Sequence, residues 1–261
     1  MATHETYKLD NTRTLAFHRV AANGDGVNLP GVVFLGGFKS DMTGTKAVFL
    51  EAWAREAGRG FLRFDYTGHG QSSGAFLDGS IGEWARDAQD AIEGLTEGPQ
   101  ILVGSSMGGW ISLLMAQRIP DRIAGLVEIA AAPDFTEDSM WAGFDAEQRA
   151  TLDDVGQVEL PSEYSDEPYI ITRKLIADGR DNLVLRTPLH LPFPSRFLQG
   201  TADEDVPVEV AHRLLSHATG PDIRLTLVKG SDHRFSGSDE LALIRATLDE
   251  VTERIVQNGM S

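Results

Sequence analysis

The sequence contains no cysteine. This absence excludes disulfide bonds, thiolate metal sites and cysteine nucleophiles, and it fits a reducing compartment. The chain also lacks an uninterrupted apolar run of about 18 residues, which a membrane-spanning helix needs. Its opening, MATHETYKLD, has neither the basic nor the apolar region of a signal peptide. We therefore expect a cytoplasmic protein without a membrane-inserted segment.

Positive charge is scarce as well, since 23 Lys and Arg face 39 Asp and Glu, for a net charge of -16. Such an acidic molecule repels phosphate backbones and anionic membrane surfaces. We therefore expect no nucleic-acid partner. Histidines are not clustered, and no phosphate-cradling glycine loop follows the first strand, so neither a metal nor a cofactor is expected.

Short apolar runs punctuated by glycine alternate with longer amphipathic stretches. This alternation predicts a mostly parallel sheet with helices on both faces. Parallel strands are expected at residues 31–35, 61–65, 101–105, 125–130, 196–198 and 223–228, and an antiparallel edge strand at 14–21, paired with 7–10. Helices are expected at residues 43–57, 81–95, 107–119, 208–218 and 240–255.

The alternation stops between Ala132 and Pro194, where aromatic and acidic pieces replace it. Excursions of this length are usually functional lids or insertions, because plain long loops are uncommon in compact domains. We expect an α/β core formed by residues 1–132 and 195–261, with a helical cap inserted at 133–194. Two cap helices are expected, near residues 146–155 and 168–178.

Two serines stand at the centre of a G-x-S-x-G pattern, Ser72 in GQSSG and Ser106 in GSSMG. A nucleophile elbow needs a buried strand before the serine and a helix after it, with glycines where the backbone approaches closely. Ser106 has both flanks, whereas Ser72 lies in a polar stretch beyond its strand, and Ser105 has Val103 where a glycine is needed. Ser106 is therefore the candidate nucleophile. The alternative is a βα turn whose small residues serve packing.

A nucleophilic serine needs a base, and the base needs a carboxylate that orients it. In strand–turn–helix folds of this type, the acid and then the base follow later strands in chain order. His233 follows the strand at 223–228 and is the candidate base. His69, in the loop after the strand at 61–65, is its competitor.

Two aspartates compete as the acid, Asp203 and Asp205, both after the strand at 196–198. Asp203 is favoured because it comes earlier in the turn, before Val206 and Pro207 lead into a helix, and Asp205 remains the alternative. Asp232 is poorly placed, since it adjoins the base and its side chain diverges from it.

An oxyanion hole requires N–H donors where charge develops on the reacting carbonyl. The Met107 amide begins the helix after Ser106, where the helix dipole adds positive potential. The second donor is assigned to the Phe38 amide, because Gly36 and Gly37 let the backbone approach a ligand. The alternative is that these glycines only turn the chain.

With these residues identified, the chain resembles the α/β-hydrolase superfamily over nearly its full length. FLGGFKSDMTGTKA, RFDYTGHGQSSG, GPQILVGSSMGGW, LQGTADEDVP and KGSDHR are similar to the mitochondrial depalmitoylating hydrolases of the abhydrolase-domain group and their bacterial relatives. Such hydrolases cleave S-acyl thioesters and acyl-glucuronide esters. The resemblance implies a triad of Ser106, Asp203 and His233, with Asp203 matched by G-x-x-D-x-x-V-P, and it implies Phe38 and Met107 as oxyanion donors.

One departure from the animal relatives bears on location and substrate. Those proteins carry a mitochondrial transit peptide, whereas this sequence starts close to the fold, which implies a bacterial cytoplasmic protein. Its natural substrate then need not be a palmitoylated protein, because the superfamily motifs specify the chemistry more closely than the substrate.

We expect a metal-free serine hydrolase that cleaves small-molecule carboxylic esters or acyl thioesters through an acyl-enzyme intermediate. The same triad also serves C–C or amide hydrolysis and cofactor-free perhydrolysis, and the same fold also occurs as a noncatalytic ligand receptor. Apolar cap residues either roof an acyl pocket, which would favour medium acyl chains over acetyl, or anchor the cap to the sheet. These residues are Phe135, Met140, Trp141, Phe144, Leu152, Val155, Tyr164, Tyr169, Ile170 and Leu175.

Overall fold

The computed structural model describes residues 4–160 and 168–259. The strands are β1 (Glu5–Lys8), β2 (Thr14–Val20), β3 (Gly31–Leu35), β4 (Phe61–Phe64), β5 (Gln100–Ser105), β6 (Ile123–Ile129), β7 (Gln157–Leu160), β8 (Tyr169–Thr172), β9 (Leu189–His190), β10 (Ser195–Gly200), β11 (Ala218–Thr219) and β12 (Ile223–Val228). The α-helices are α1 (Thr45–Glu56), α2 (Ile81–Leu95), α3 (Met107–Arg118), α4 (Ala146–Val155), α5 (Arg173–Asp181), α6 (Val208–His217) and α7 (Ser238–Gly259).

The main sheet has the strand order β1-β2-β4-β3-β5-β6-β10-β12. Strands β4, β3, β5, β6, β10 and β12 run parallel, and β2 pairs antiparallel with both β1 and β4. The predicted mostly parallel sheet is confirmed. The expected antiparallel pairing of residues 14–21 with residues 7–10 is confirmed, although the two strands span Thr14–Val20 and Glu5–Lys8. Only the edge position was wrong, because β1 pairs along the outer side of β2 and takes it.

Side chains of the central strands alternate between two buried layers, one on each face of the sheet. In β3, Val32 and Phe34 join the cluster that contains residues of α1 and α7, whereas Val33 and Leu35 join the cluster that contains residues of α2 and α3. A parallel sheet buried on both faces has no solvated side, so its strands are apolar throughout. This explains the uninterrupted apolar runs of the sequence.

The carboxyl ends of the parallel strands meet at one edge of the sheet, which is where α/β proteins place their sites. The turn from β5 to α3 carries Ser106, the turn from β10 to α6 carries Asp203, and the turn after β12 carries His233. The loop after β3 carries Phe38 at the same edge. Among the described residues, no helix combines the length and the apolar character needed to cross a membrane.

The chain leaves the main sheet after β6 and returns at β10. Between them lie a π-helical segment at Thr136–Trp141, then α4, the antiparallel pair of β7 and β8, α5 and β9. The predicted helix at 146–155 is confirmed. The one expected at 168–178 was wrong in its first part, because Tyr169–Thr172, made of aromatic and β-branched residues, pairs with β7 and the helix starts only at Arg173. Thr172 caps that helix by accepting a hydrogen bond from the Leu175 amide.

This excursion is anchored by carboxylates near its start. Asp134 is fully buried, with a left-handed φ of 59°, and accepts hydrogen bonds from two amides of the returning chain and from Arg186. Asp138 pairs with Arg186 and also with Arg213 of α6, at 2.6 Å. These contacts join the excursion to a helix of the core. The assignment of residues 133–194 as a separate cap stays a prediction, and Tyr164 lies outside the described residues.

Candidate active site

Ser106 occupies a sharp turn between β5 and α3. Its φ of 55° and ψ of −118° are unusual for a residue with a side chain, and such strain persists only where the surroundings impose it. The Ser106 amide donates to the Ile129 carbonyl at 2.9 Å, and the Ser106 carbonyl accepts from the Ala132 amide at 3.1 Å. The neighbouring strand β6 and the residues after it therefore hold the turn in place.

The flanking glycines are required by close backbone approach. A Cβ atom on Gly108 would overlap the carbonyl oxygen of Leu35, and one on Gly104 would lie 2.6 Å from the carbonyl oxygen of Gly108. Neither clash is relieved by a side-chain rotation, because the obstructing atoms belong to the backbone. The G-x-S-x-G spacing around Ser106 thus has a steric cause.

The structure brings Ser106, His233 and Asp203 together from three separate turns. The Ser106 Oγ lies 3.1 Å from the His233 Nε2, and the His233 Nδ1 lies 2.9 Å from the Asp203 Oδ2. Both distances lie within the range of hydrogen bonds. The arrangement can pass a proton from the hydroxyl to the imidazole while the carboxylate fixes the ring.

Three N–H groups besides that of His233 donate hydrogen bonds to the Asp203 carboxylate. Its Oδ1 accepts from the amides of Asp205 at 3.0 Å and Val206 at 2.8 Å, and its Oδ2 accepts from the Gln199 Nε2 at 2.9 Å. Sequence reasoning did not single out Gln199, which stands near the end of an apolar strand. Among the described residues, Asp203, Asp205 and His233 form the one group whose possible metal-ligand atoms lie within 4.8 Å of one another, and two of its members share the hydrogen bond described above.

The two expected oxyanion donors both adjoin Ser106. A Cβ atom on Gly37 would lie 3.4 Å from the Ser106 Cβ, so the loop that carries Phe38 touches the serine. Met107 is the first residue of α3. Neither amide donates a hydrogen bond to another residue in the described part of the chain. Both N–H groups are therefore available to a ligand.

A cavity of about 740 Å³ opens onto Ser106 and His233. Three of the apolar cap residues singled out in the sequence, Phe135, Met140 and Tyr169, line it. Others serve packing or lie at the surface: Phe144, Leu152 and Leu175 are buried in the core, and Val155 is exposed. The apolar wall of the cavity consists of Phe38, Phe135, Met140, Leu160, Tyr169 and Ile171.

Lys46 also lines the cavity, as one of its polar residues, and was missed by sequence reasoning. Its ammonium donates to the main-chain carbonyl of Arg234, the residue after His233, and burial lowers the pKa of Lys46 to about 8. It is the second residue of α1, where the helix dipole disfavours a cation. A lysine at the start of a helix that follows a glycine loop was the available signal.

The competing base, His69, is packed away from Ser106. Its ring is 3 % exposed and makes edge contacts with Tyr66, Phe76 and Trp84 at centroid distances of 5.0 to 5.6 Å. Burial lowers the pKa of His69 to about 4. Its Nδ1 lies 3.4 Å from the Thr67 carbonyl oxygen. The imidazole that reaches Ser106 is that of His233.

Ser72, the centre of the second G-x-S-x-G pattern, has a different setting. Its hydroxyl donates to the Asp65 carbonyl at 2.6 Å and accepts from the Ala16 amide at 2.8 Å. It therefore ties the loop after β4 to β2. No strand leads directly into it, so the pattern here is that of a structural loop.

The buried His69 should make stability fall on mild acidification. An unfolded histidine gains its proton near pH 6.5, whereas folded His69 stays neutral down to about pH 4. The unfolded state therefore binds more protons between these values, and His69 should lower the free energy of unfolding by about 2 kcal/mol from pH 7 to pH 5. Urea unfolding at pH 7 and pH 5 measures the drop in the free energy of unfolding. In His69→Gln this drop should be smaller than in the wild type by about 2 kcal/mol. The exposed His212→Gln should keep the wild-type difference, and equal losses in both variants would contradict the prediction.

Comparisons with known proteins identify the family. The sequence model of the alpha/beta hydrolase family matches residues 32–256. The mitochondrial palmitoyl-protein thioesterase ABHD10 of Rattus norvegicus is 34% identical over 87% of this chain and 76% of its own. A putative hydrolase from Agrobacterium vitis S4 is 39% identical, with a TM-score of 0.90 over 95% of this chain and 97% of that one. Mouse ABHD10 is 30% identical, with a TM-score of 0.88 over 97% and 100%.

These matches confirm the resemblance that the sequence motifs indicate. They extend over nearly the whole chain, and they include relatives in which the sequence identity reaches 30% or more. The strand order and the turn at Ser106 described above fit the same fold. The chain is a hydrolase and belongs to the α/β hydrolase family.

Proposed function

We propose that this hydrolase uses Ser106 to cleave carboxylic esters or acyl thioesters through an acyl-enzyme intermediate. The observation that carries the proposal is the continuous hydrogen-bond chain from Ser106 through His233 to Asp203, which opens into the cavity. Likeness to proteins named palmitoyl-protein thioesterase supports an acyl thioester as the substrate. Support for the serine mechanism comes from the geometry, and support for the acyl class comes from the relatives.

In the first half-reaction the Ser106 Oγ attacks the acyl carbonyl carbon while His233 Nε2 takes the hydroxyl proton. Asp203 keeps the proton of Nδ1 directed toward itself, so that Nε2 is the basic nitrogen, and it stabilises the imidazolium that forms. The protonated ring then gives its proton to the departing oxygen or sulfur. In the second half-reaction water, activated by the same ring, releases the acid and restores Ser106.

Negative charge on the carbonyl oxygen is met by the amides of Phe38 and Met107. Each such donor contributes about 3 kcal/mol of transition-state stabilisation in comparable sites. The positive end of α3 adds to the field at the same point. Because both donors are main-chain groups, their positions depend on the turn at Ser106 and on the loop at Gly37.

The polar and the apolar residues that line the cavity orient the substrate. The leaving group must lie beside His233, which protonates it, and hence on the side of Arg234 and Lys46. The acyl chain then extends along the apolar wall, which includes Phe135 and Met140. This orientation predicts an apolar acyl part and a polar leaving group.

The proposed mechanism first predicts the effect of removing the nucleophile. Ser106→Ala should abolish turnover of p-nitrophenyl esters and labelling by a fluorophosphonate probe, because among residues 4–160 and 168–259 no other hydroxyl is bonded to His233. Ser72→Ala is the matched control, since it removes the serine of the second G-x-S-x-G pattern, and it should keep both activities. Thermal unfolding verifies that each variant is folded. Turnover retained by a folded Ser106→Ala would refute the mechanism.

A second prediction separates the two candidate acids. Asp203→Asn should lower kcat by about 10⁴-fold, because the amide no longer favours the required tautomer of His233. Asp205→Asn leaves the Asp205 amide bond to Asp203 in place and should lower kcat by less than about ten-fold, as expected for a group that is not the orienting acid. Steady-state kinetics on both variants measures the difference. The reverse order would assign the acid to Asp205.

A third prediction concerns the acyl chain. In a series of p-nitrophenyl esters, kcat/KM should rise from acetyl to medium chains by up to about four-fold per buried methylene, since each contributes about 0.8 kcal/mol. Met140→Trp places a larger side chain in the cavity, and it should therefore move the acyl-chain length of highest kcat/KM to shorter chains. Val155→Trp, at an exposed position of the excursion, should not move it. A wild-type optimum at acetyl would contradict the prediction.

A further inference from the structure

A carboxyl group lies beneath the turn that carries Ser106. Glu128 interrupts the apolar strand β6, is 0 % exposed and stands beside Gly104 of β5 in the sheet. Its only hydrogen-bond partner among the described residues is Ser112 of α3. A carboxyl group without a cation or several donors is rarely buried so deeply, because burial disfavours the charged form.

The contacts of Ser112 fix the protonation of Glu128. The Ser112 Oγ is hydrogen-bonded to the Glu128 Oε1 and, at 2.8 Å, to the carbonyl oxygen of Gly109. A hydroxyl has one proton, so it cannot donate to two acceptors. Both bonds form when the Glu128 carboxyl carries a proton and donates to Ser112, which then donates to Gly109. Burial also raises the pKa of Glu128 well above its usual range.

The other oxygen of the carboxyl group packs against the nucleophile turn itself. A Cβ atom on Gly104 would lie 2.6 Å from the Glu128 Oε2, and one on Gly109 would lie 2.8 Å from it. These glycines bracket Ser106 and Met107. The group therefore lies in the space under the turn. Together with Ala131, whose Cβ atom would lie 2.6 Å from a Cβ atom on Gly109, it leaves no room for a side chain at position 109.

We propose that protonated Glu128 is a positioning residue for the oxyanion hole. Through Ser112 it holds the Gly109 carbonyl, and thereby the first turn of α3, so that the Met107 amide stays aimed at the developing charge. The inference rests on the proposed function, since it concerns the rate of acyl transfer at Ser106. Small displacements of a preorganised donor reduce rate far more than substrate binding.

The test compares variants that keep or remove the donor. Glu128→Gln retains an N–H donor toward Ser112 and should keep kcat for a p-nitrophenyl ester within about three-fold of the wild type. Glu128→Met fills a similar volume without a donor and should lower kcat by about ten-fold with KM within about two-fold. Ser112→Ala should behave like Glu128→Met. The affinity for an alkylboronic acid, which mimics the tetrahedral intermediate, should fall in parallel with kcat.

Two controls separate positioning from stability. Ser195→Ala removes an equally buried hydroxyl, bonded to the Phe193 carbonyl at the amino end of β10, and should leave kcat unchanged. The double variant of Glu128→Met and Ser112→Ala should be no slower than either single one, because both break the same relay. If Glu128→Met does not fold, Ser112→Ala decides the matter.

Three results would overturn the inference. They are a wild-type kcat in folded Ser112→Ala, a Glu128→Gln as slow as Glu128→Met, and a loss that appears in KM alone. Ser106→Ala is measured in the same assay. Activity that survives in Ser106→Ala removes the proposed function, whereas a Ser106-dependent enzyme that tolerates Glu128→Met and Ser112→Ala removes only the role of Glu128.

Discussion

The left-handed backbone of Ser106 is the constraint on which the rest of the site depends. A residue with a side chain held at φ 55° costs of order 1–3 kcal/mol, which the surrounding structure must offset. It is offset by the hydrogen bonds to Ile129 and Ala132 and by the packing of the turn against Leu35. With this backbone conformation the Ser106 hydroxyl points toward His233, and α3 begins at the next residue, Met107. Ordinary helical or extended backbone at this point would allow neither.

The acidic partner raises a second physical problem, because Asp203 is a buried carboxylate in a strongly acidic protein. Burying an unpaired charge costs several kcal/mol, so each lone pair needs a donor. Two turn amides and the Gln199 amide group supply donors that carry no net charge, and His233 supplies the fourth. The carboxylate is thus satisfied by neutral donors and by the imidazole that it orients.

Residues at the carboxyl ends of the parallel strands could be predicted from the sequence better than the excursion between β6 and β10 or the contacts between side chains. Ser106, Asp203 and His233 were expected at one edge because parallel strands end there, and the structure brings them together, while their catalytic roles stay predictions. The first part of the helix expected at residues 168–178 was wrong, because the sequence alone does not show that Tyr169–Thr172 has a pairing strand in β7. Lys46 and Glu128 have hydrogen-bond partners distant in sequence, which periodicity does not reveal. Gln199 bonds to Asp203 only four residues away, but this contact depends on the shape of the turn. Glu128 left a visible signal, a polar residue inside an apolar strand, and Lys46 left another, a lysine at the start of a helix after a glycine loop.

Phe38 joins the chemistry to the choice of substrate. Its amide is the proposed oxyanion donor, while its ring contacts Phe135 and Tyr169 at centroid distances of 5.8 and 6.2 Å. Lys39, the next residue, has a left-handed φ of 56° and places its ammonium 4.6 Å from the Tyr169 ring. The apolar wall and the oxyanion loop are therefore one packed unit. A substitution at Phe135 or Tyr169 changes the acyl pocket and also the packing of Phe38, whose amide is the proposed donor to the transition state. Acyl preference and rate therefore cannot be changed independently at these two positions.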